Sequence, residues 1–281
     1  MERQDTTSMV SVVIPAFNES DRIRGSIIEV CGVLEAICAT PDWEVIVADD
    51  GSTDATATIV RELMMLEPRL SLLSLPHRGK GATVRSGILA ANGEKILFSD
   101  ADLATPMREA ARLFAELEAG ADVAIGSRAA PGAQRLGEPF YREAMGAVFR
   151  SLVHLLLLSD FCDTQCGFKA FSRRAAHDVF SRLTLHTDDS PVITHAAVTA
   201  FDLEVLYLAV HLGYRVREVP VEWHYGAGSK VNPLRDSLAL LRDVLEIRSR
   251  VRRGVYDLVP DLPITDPASP LPLKDDPHVA G

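Results

Sequence analysis

Trp43-Glu44-Val45-Ile46-Val47-Ala48-Asp49-Asp50-Gly51-Ser52-Thr53-Asp54 holds the pattern on which the chain is built: a short apolar run that stops on two carboxylates and a glycine. A run of this length bounded by turn residues reads as a buried strand over Trp43 to Ala48. The residues after it read as a helix from about Thr53 to Glu67, with Asp54 near its N-terminus, where a carboxylate suits the helix dipole. The same unit recurs on both sides. Val10 to Ile14 reads as a strand followed by an amphipathic helix over Arg22 to Cys38, and Leu70 to Leu75, Ala82 to Ala91 and Ile96 to Ser99 give strand, helix, strand. Such alternation predicts an α/β fold with a mostly parallel sheet flanked by helices. In open sheets of this kind ligands collect beyond the carboxyl ends of the strands, so chemistry is sought in the residues just after each strand.

The second half is less regular. It predicts a strand over Val123 to Gly126, a helix from Arg142 to Ser159, a Cys/Gly-containing turn and a short strand near Lys169 to Ser172. A helix over Phe201 to Leu212, a strand pair across Val216 to Tyr225 and a long helix over Leu234 to Val251 follow. No internal repeat at a fixed period is present. From Pro260 the chain is rich in Pro and Asp, with Pro260, Pro263, Pro267, Pro270, Pro272 and Pro277 opposing regular structure, which predicts a disordered tail. The expected organisation is an N-terminal extension over 1–9, a single domain over 10–255 and a Pro-rich tail over 256–281.

Composition narrows the class. Of 281 residues, 47% are hydrophobic and 24% charged, ample for a buried core. No apolar run reaches the roughly 18 residues of a membrane-spanning helix; the longest candidate, Met145 to Leu158, is broken by Arg150 and His154. The polar start Met-Glu-Arg-Gln-Asp lacks the pattern of a secretory leader, so a cytoplasmic location is expected. A formal charge of -10 argues against nucleic acid as a partner, and any phosphate-bearing ligand must be held locally. Cys31, Cys38, Cys162 and Cys166 lack zinc-site spacing and read as buried or incidental thiols.

The sharpest chemical feature is Phe98-Ser99-Asp100-Ala101-Asp102, a hydrophobic strand that delivers two carboxylates one residue apart. Two acids so placed can share a divalent ion with a ligand's phosphates, since Mg²⁺ is typically held by one or two carboxylates plus phosphate oxygens and water. Asp-x-Asp alone is common as a solvated turn. Here Asp49 to Asp54 ends the second strand and Pro15-Ala16-Phe17-Asn18-Glu19 the first, so three polar strand ends converge on one rim.

These residues resemble family 2 of the inverting glycosyltransferases, with the GT-A fold. The resemblance rests on Val13 to Glu19, Val47 to Asp54, His77-Arg78-Gly79-Lys80-Gly81, Asp100-Ala101-Asp102 and Gly126-Ser127-Arg128. Asp163-Thr164-Gln165-Cys166-Gly167-Phe168-Lys169, Phe201-Asp202-Leu203-Glu204, Trp223 and Gly228-Ser229-Lys230 resemble the dolichyl-phosphate β-glucosyltransferase and polyprenyl-phosphate sugar synthase branch. The resemblance implies a nucleotide rim at Pro15, Ala16 and Glu19, and at Asp49 a carboxylate that accepts from a ring nitrogen of uracil or guanine. It implies Asp100 and Ala101 against the ribose and nucleotide, Asp102 with Asp100 as ligands of Mg²⁺ or Mn²⁺, and Lys80 and Lys230 as cations for the donor diphosphate. Gly79 and Gly81 allow close backbone approach. Arg128 is expected to bind an anionic acceptor, because its planar fork suits phosphate, and Arg135 and Arg142 flank the same loop.

Asp163 and Glu204 are the candidate catalytic carboxylates, with Arg128 beside them. Transfer to a sugar hydroxyl needs a base. A lipid monophosphate, with a second pKa near ~6, is already a nucleophile at neutral pH; Asp163 is then free to orient the acceptor or a basic residue, and Glu204 to stand behind the site or serve as a buried ion-pair partner. Residues 186–196, with His186, Asp188, Asp189 and His195, depart from the eukaryotic pattern and read as a solvated loop, with a mobile acceptor loop as the other possibility. The Gln-x-x-Arg-Trp motif of processive synthases is absent, which disfavours polymerisation.

For the lipid, two segments offer an apolar face: Ala144 to Leu158, and Leu234 to Val251 with Leu238, Leu241 and Leu245 on one side and Arg248, Arg250, Arg252 and Arg253 at its end. A basic terminus on such a helix suits anionic headgroups at about 1 kcal/mol per cation; a core role for the first, or a homo-oligomer contact for either, is the rival use. The expected function is metal-dependent transfer of one hexose, glucose from UDP-glucose, to a polyprenyl or dolichyl phosphate with inversion, peripherally at the cytosolic face of a membrane. A soluble acceptor, or nucleotide-sugar binding without turnover, is the alternative.

Overall fold

Val10–Ala16 (β1), Trp43–Asp49 (β2), Leu70–Ser74 (β3) and Lys95–Ser99 (β4) form one half of a sheet in a computed structural model of the protein. The model describes residues 9–38, 42–137, 161–185, 187, 192–193, 200–226 and 233–257, the side chains of 233–239 excepted. These four strands pair in parallel in the order β3-β2-β1-β4, and Phe168–Ser172 (β7) then enters antiparallel between β4 and Val123–Ser127 (β5), with Val216–Pro220 (β8) closing the far edge. Gln134–Leu136 (β6) and Glu222–His224 (β9) make a separate two-stranded parallel pair.

The early strands β1, β2 and β4 are largely apolar because each feeds two cores. Side chains alternate faces along a strand, so Val13, Ile46, Ile96 and Phe98 pack on one side with Val84, Ile88, Phe171, Phe180 and Phe201. Val12, Ile14, Val45, Val47 and Leu97 pack on the other with Ile27, Val30, Leu34 and Leu113. Coverage of both faces is what a parallel sheet requires. Helices Ile23–Ile37 (α1), Thr56–Met64 (α2), Lys80–Ala90 (α3) and Ala110–Glu118 (α4) supply it, together with Arg173–Ser181 (α5), Phe201–His211 (α6) and Pro233–Arg252 (α7).

Two expectations change. Val216 to Tyr225 does contain two strands, but they do not pair: β8 lies in register with β5, and β9 with β6. One residue, Val221, separates them, too short for the two-residue turn of the tightest common hairpins, and Pro220 lacks the N–H that would extend a ladder. The chain bends there and continues into the second sheet. No element is predicted over 103–122, yet a 3₁₀ turn at Met107–Glu109 leads into α4, whose buried Ala110, Leu113 and Phe114 have helical spacing.

The predicted helix Arg142 to Ser159, the apolar face Ala144 to Leu158, most of 186–196 and residues 258–281 of the Pro-rich tail lie outside the described residues, as do Arg142 and Lys230; Tyr256, expected in the tail, is buried in the core. In α7 the core face is Leu240, Val244, Ile247 and Val251, whereas Leu245 is 51% exposed. Arg250 turns inward to Glu246 and to the Thr184 carbonyl, and Arg253 also reaches Glu246. Among the described residues no helix is long and apolar enough to cross a membrane. The four cysteines are free thiols, Cys166 buried and Cys162 exposed.

Candidate active site

Three strand ends meet through the hydrogen bonds of their loops. Asn18, at φ 54°, turns the chain after β1; its N–H donates to Ser52 Oγ, and its Oδ1 accepts from Thr53 N at 2.8 Å. Glu19 N donates to Thr56 Oγ1, and Ser20 N to Asp54 Oδ2. Asp54 also accepts from Thr56 N at 2.9 Å. Burial alone would raise the Asp54 carboxyl, but hydrogen bonds from Thr56 and Ser20 outweigh it and bring the pKa down to about 2. Asp54 therefore fastens the loop and starts α2.

Asp49 and Asp50 diverge. Asp50 binds the following loop: its carboxylate meets His77 Nδ1 at 2.7 Å and accepts from Arg78 N and Gly79 N. The His77 ring stacks on Phe17 with centroids 3.8 Å apart. Gly79, at φ 94°, occupies a conformation that a side chain would strain as it opens α3. Asp49 is 4% exposed, and its Oδ1 is buried with no hydrogen-bond partner among the described residues. Buried polar atoms are nearly always satisfied, so this oxygen has room for an N–H donor from beyond the described residues. Pro15 and Ala16 are its neighbours in register, across from Ala48 and Asp49. Glu19 instead pairs with Arg22 at 2.9 Å.

Beyond β4, Asp100 and Asp102 stand at the predicted strand end, with the Ala101 side chain buried between them. Lys80, first residue of α3, reaches Asp100 Oδ1 at 2.5 Å. The protein packed around Asp102, and then the like charge of Asp100, push the Asp102 carboxyl above its ordinary pKa. Two hard oxygen donors that repel each other fit a divalent cation such as Mg²⁺ or Mn²⁺. Among the described residues no group of three or more His, Cys, Asp or Glu gathers; an ion on this pair would take its further ligands from outside it, as Mg²⁺ commonly does from phosphate oxygens and water.

Asp100 is seated on Gly167. Its N–H donates to the Gly167 carbonyl at 3.2 Å, and a Cβ at Gly167 would collide with its carboxylate. Gly167→Ala is expected to displace Asp100, cost about 1–3 kcal/mol as an overpacked position, and raise the KM for the donor. Steady-state kinetics with thermal melts check this; an unchanged KM contradicts it.

Arg128, just after β5, makes a fork to Asp163: Nε to Oδ2 at 2.6 Å, Nη2 to Oδ1 at 2.9 Å, with its own backbone N–H on Oδ2 at 3.0 Å. Its guanidinium lies 5.4 Å from the centre of the Trp223 ring, and Arg135 pairs in register with Trp223. Asp163 is 2% exposed. Burial would raise its carboxyl, but the Arg128 charge and hydrogen bonds hold it well below the usual carboxylate range. A carboxylate depressed on folding stabilises above its unfolded pKa, about 3.9, and that contribution is lost as pH falls. Wild-type Tm should therefore drop more steeply between pH 5 and pH 3 than that of Asp163→Asn; parallel melting profiles contradict the pairing.

Glu204 is fully buried and accepts from Thr184 N and Oγ1, Leu185 N and Tyr256 Oη. Those donors, and no cationic side chain at ion-pair distance among the described residues, satisfy it. Two charges given no part by sequence reasoning sit nearby in the chain: Lys169, fully buried in β7, and Asp202 in α6, joined at 2.5 Å. The signal was legible in Phe168-Lys169-Ala170-Phe171 and Ala200-Phe201-Asp202-Leu203, since a charge inside an apolar run needs a partner.

Residues 11–180 match the profile described as Glycosyl transferase family 2. The dolichyl-phosphate beta-glucosyltransferase of Drosophila melanogaster is 35% identical over 276 residues, covering 90% of this chain and 78% of that protein. The mouse protein of the same description is 34% identical over 90% of this chain and 78% of its own length. The crystal structure of glucosyl-3-phosphoglycerate synthase from Mycobacterium tuberculosis, in complex with Mn²⁺, UDP and glucosyl-3-phosphoglycerate, superposes with a TM-score of 0.53 at 18% identity, over 90% of this chain and 81% of that one. That likeness shows the GT-A fold.

Proposed function

Since the chain belongs to glycosyl transferase family 2, we propose that it is an enzyme moving one glucose from UDP-glucose onto a dolichyl or other polyprenyl phosphate, with inversion. One observation carries the acceptor half of this reading: a fork-forming arginine, Arg128, is held by buried Asp163 at the same sheet rim as Asp100 and Asp102. Identity of 30–35% to proteins described as dolichyl-phosphate beta-glucosyltransferases, over about nine-tenths of the chain, supports the sugar and the lipid. It favours them over a soluble acceptor or a binder without turnover.

Each residue then has a task. Asp49 Oδ1 accepts the ring N–H of the base, beside Pro15 and Ala16, and Lys80 meets the diphosphate with Lys230. Asp102 and Asp100 would hold Mg²⁺ or Mn²⁺, which when bound offsets charge on the leaving nucleoside diphosphate. Arg128, with Arg135 on β6 and Arg142 further along the sequence, receives the acceptor phosphate. That phosphate is dianionic near neutral pH and needs no proton removed. Asp163 suits this division: a carboxylate held so acidic is a poor base, but it fixes the guanidinium in one orientation. Glu204 holds the 184–185 loop behind the site. The exposed Leu245 and the basic end of α7 supply a peripheral contact with a membrane at its cytosolic face.

The test is direct. Purified protein with Mn²⁺ or Mg²⁺, dolichyl phosphate in detergent and a panel of radiolabelled UDP- and GDP-sugars is expected to give labelled lipid from UDP-glucose. Folded protein that labels no lipid with any donor overturns the reading.

A further inference from the structure

The carboxylates Asp100 and Asp102 stand on a turn whose shape is costly. Leu103, the next residue, has φ 46°, in the left-handed region where a side chain crowds the backbone and persists only if its surroundings hold it. Here several elements do so. The Leu103 side chain packs against the core built on Val12, Ile14 and Leu97, and its N–H donates to the Asp100 carbonyl at 3.1 Å. One residue on, the Ala104 carbonyl accepts from His224 N of β9 at 2.7 Å, while Asp100 N–H is fixed on Gly167 ahead of β7. A further tie comes from α1: the buried Ser26 donates from Oγ to the Ala101 carbonyl at 2.5 Å.

This last bond falls at the centre of the pair. A serine hydroxyl has one proton to give. The other acceptor near Ser26 Oγ, the Arg22 carbonyl in the preceding helical turn, lies farther off at 3.2 Å. The proton therefore goes to Ala101. A peptide unit is planar, so holding the Ala101 C=O also holds the Asp102 N–H in the same plane, and with it the direction in which the Asp102 side chain leaves the backbone. The Asp102 carboxylate accepts from Ala104 N, two residues on, and so moves with the turn. The Ala101 side chain is itself buried, which opposes any swing of this peptide.

We propose that Ser26 is a positioning residue for the divalent cation that Asp100 and Asp102 would hold: by fixing the Ala101 peptide it keeps Asp102 directed toward Asp100, against the strain at Leu103. The proposal rests on the glycosyltransferase reading. It concerns metal-dependent binding, so it is tested apart from turnover.

The experiment is calorimetric titration of UDP, in saturating Mn²⁺ and again in EDTA. Ser26→Ala places the best helix former in α1 and is expected to fold. It is expected to weaken UDP binding about tenfold in Mn²⁺, the lower end of what supporting groups around a metal contribute, and less than about twofold in EDTA. Ser26→Thr, which keeps the hydroxyl, is expected to return affinity in Mn²⁺ to within about threefold of wild type. A folded Ser26→Ala that binds as wild type does in Mn²⁺, losses that are equal in Mn²⁺ and EDTA, or a Ser26→Thr as weak as Ser26→Ala overturns the proposal. If Ser26→Ala is unfolded by circular dichroism, Ser26→Cys, close in shape with a weaker donor, carries the same comparison. A wild type that binds UDP alike in Mn²⁺ and EDTA overturns the proposal and leaves the glycosyltransferase reading standing, whereas one that binds no UDP in either overturns both.

Discussion

Asp102→Ala is expected to lower metal-dependent affinity for UDP at least about a hundredfold, the upper end of what even supporting groups around a metal contribute, while the protein melts close to wild type. The stability follows from position. Asp102 lies on the exposed rim after β4, and among the described residues it accepts a hydrogen bond from Ala104 N at 3.1 Å. The binding loss follows from charge: the charge of Asp100 disfavours ionisation of Asp102, and among the described residues Lys80 is in contact with Asp100. Removing Asp102 leaves Asp100 satisfied by the ammonium and little to attract a dication. Fluorescence or calorimetric titration of UDP, with and without Mn²⁺, checks this. Small, equal effects on donor and acceptor steps would contradict the separation of roles.

Arg128→Ala is expected to act on the other substrate, lowering kcat/KM for the lipid phosphate by about 10²-fold, as loss of one aimed donor set does, with UDP affinity unchanged. Arg128→Lys should restore little, because an ammonium cannot reproduce the two-nitrogen fork to Asp163. Stability falls too. Removing one partner of a buried pair costs about 3–5 kcal/mol, and the lower end applies because the Arg128 side chain is 21% exposed and partly screened. Arg128→Ala/Asp163→Asn should recover much of the lost Tm and none of the acceptor kinetics. Recovery of both means that Arg128 serves the fold alone.

The first half of the fold was legible in the sequence because β1, β2 and β4 are buried on both faces and so read as largely apolar runs, while half-buried β3 keeps Leu70, Leu72 and Leu73. Val10 to Ile14 and Trp43 to Ala48 came within two residues of the observed limits. β6 was not legible, and β9 was expected as the partner of β8 rather than of β6; the reason is physical. Three residues each, half-buried or exposed, are too short to carry a period. In the site, the residue types at strand ends pointed to Asp49, Asp100 and Asp102, but not to what each touches. Nothing local in Asp163 shows that it is fully occupied by Arg128, and nothing in Glu204 shows that it faces a loop. Those facts depend on contacts between residues 20 to 52 positions apart.

The antiparallel strand β7 has a consequence for how such a chain can diversify. Residues 10–100 build the four-stranded half that presents Asp49, Lys80 and Asp100, whereas Arg128 and Trp223 stand on the half formed by β5, β8 and the small second sheet. Among the described strands β7 alone pairs with both, through backbone hydrogen bonds that do not depend on side-chain identity. A lineage can therefore exchange the clientele of one half by point changes or by grafting whole segments, while the other half keeps its own. The seam at β7 is where a chimera of two such proteins should be cut.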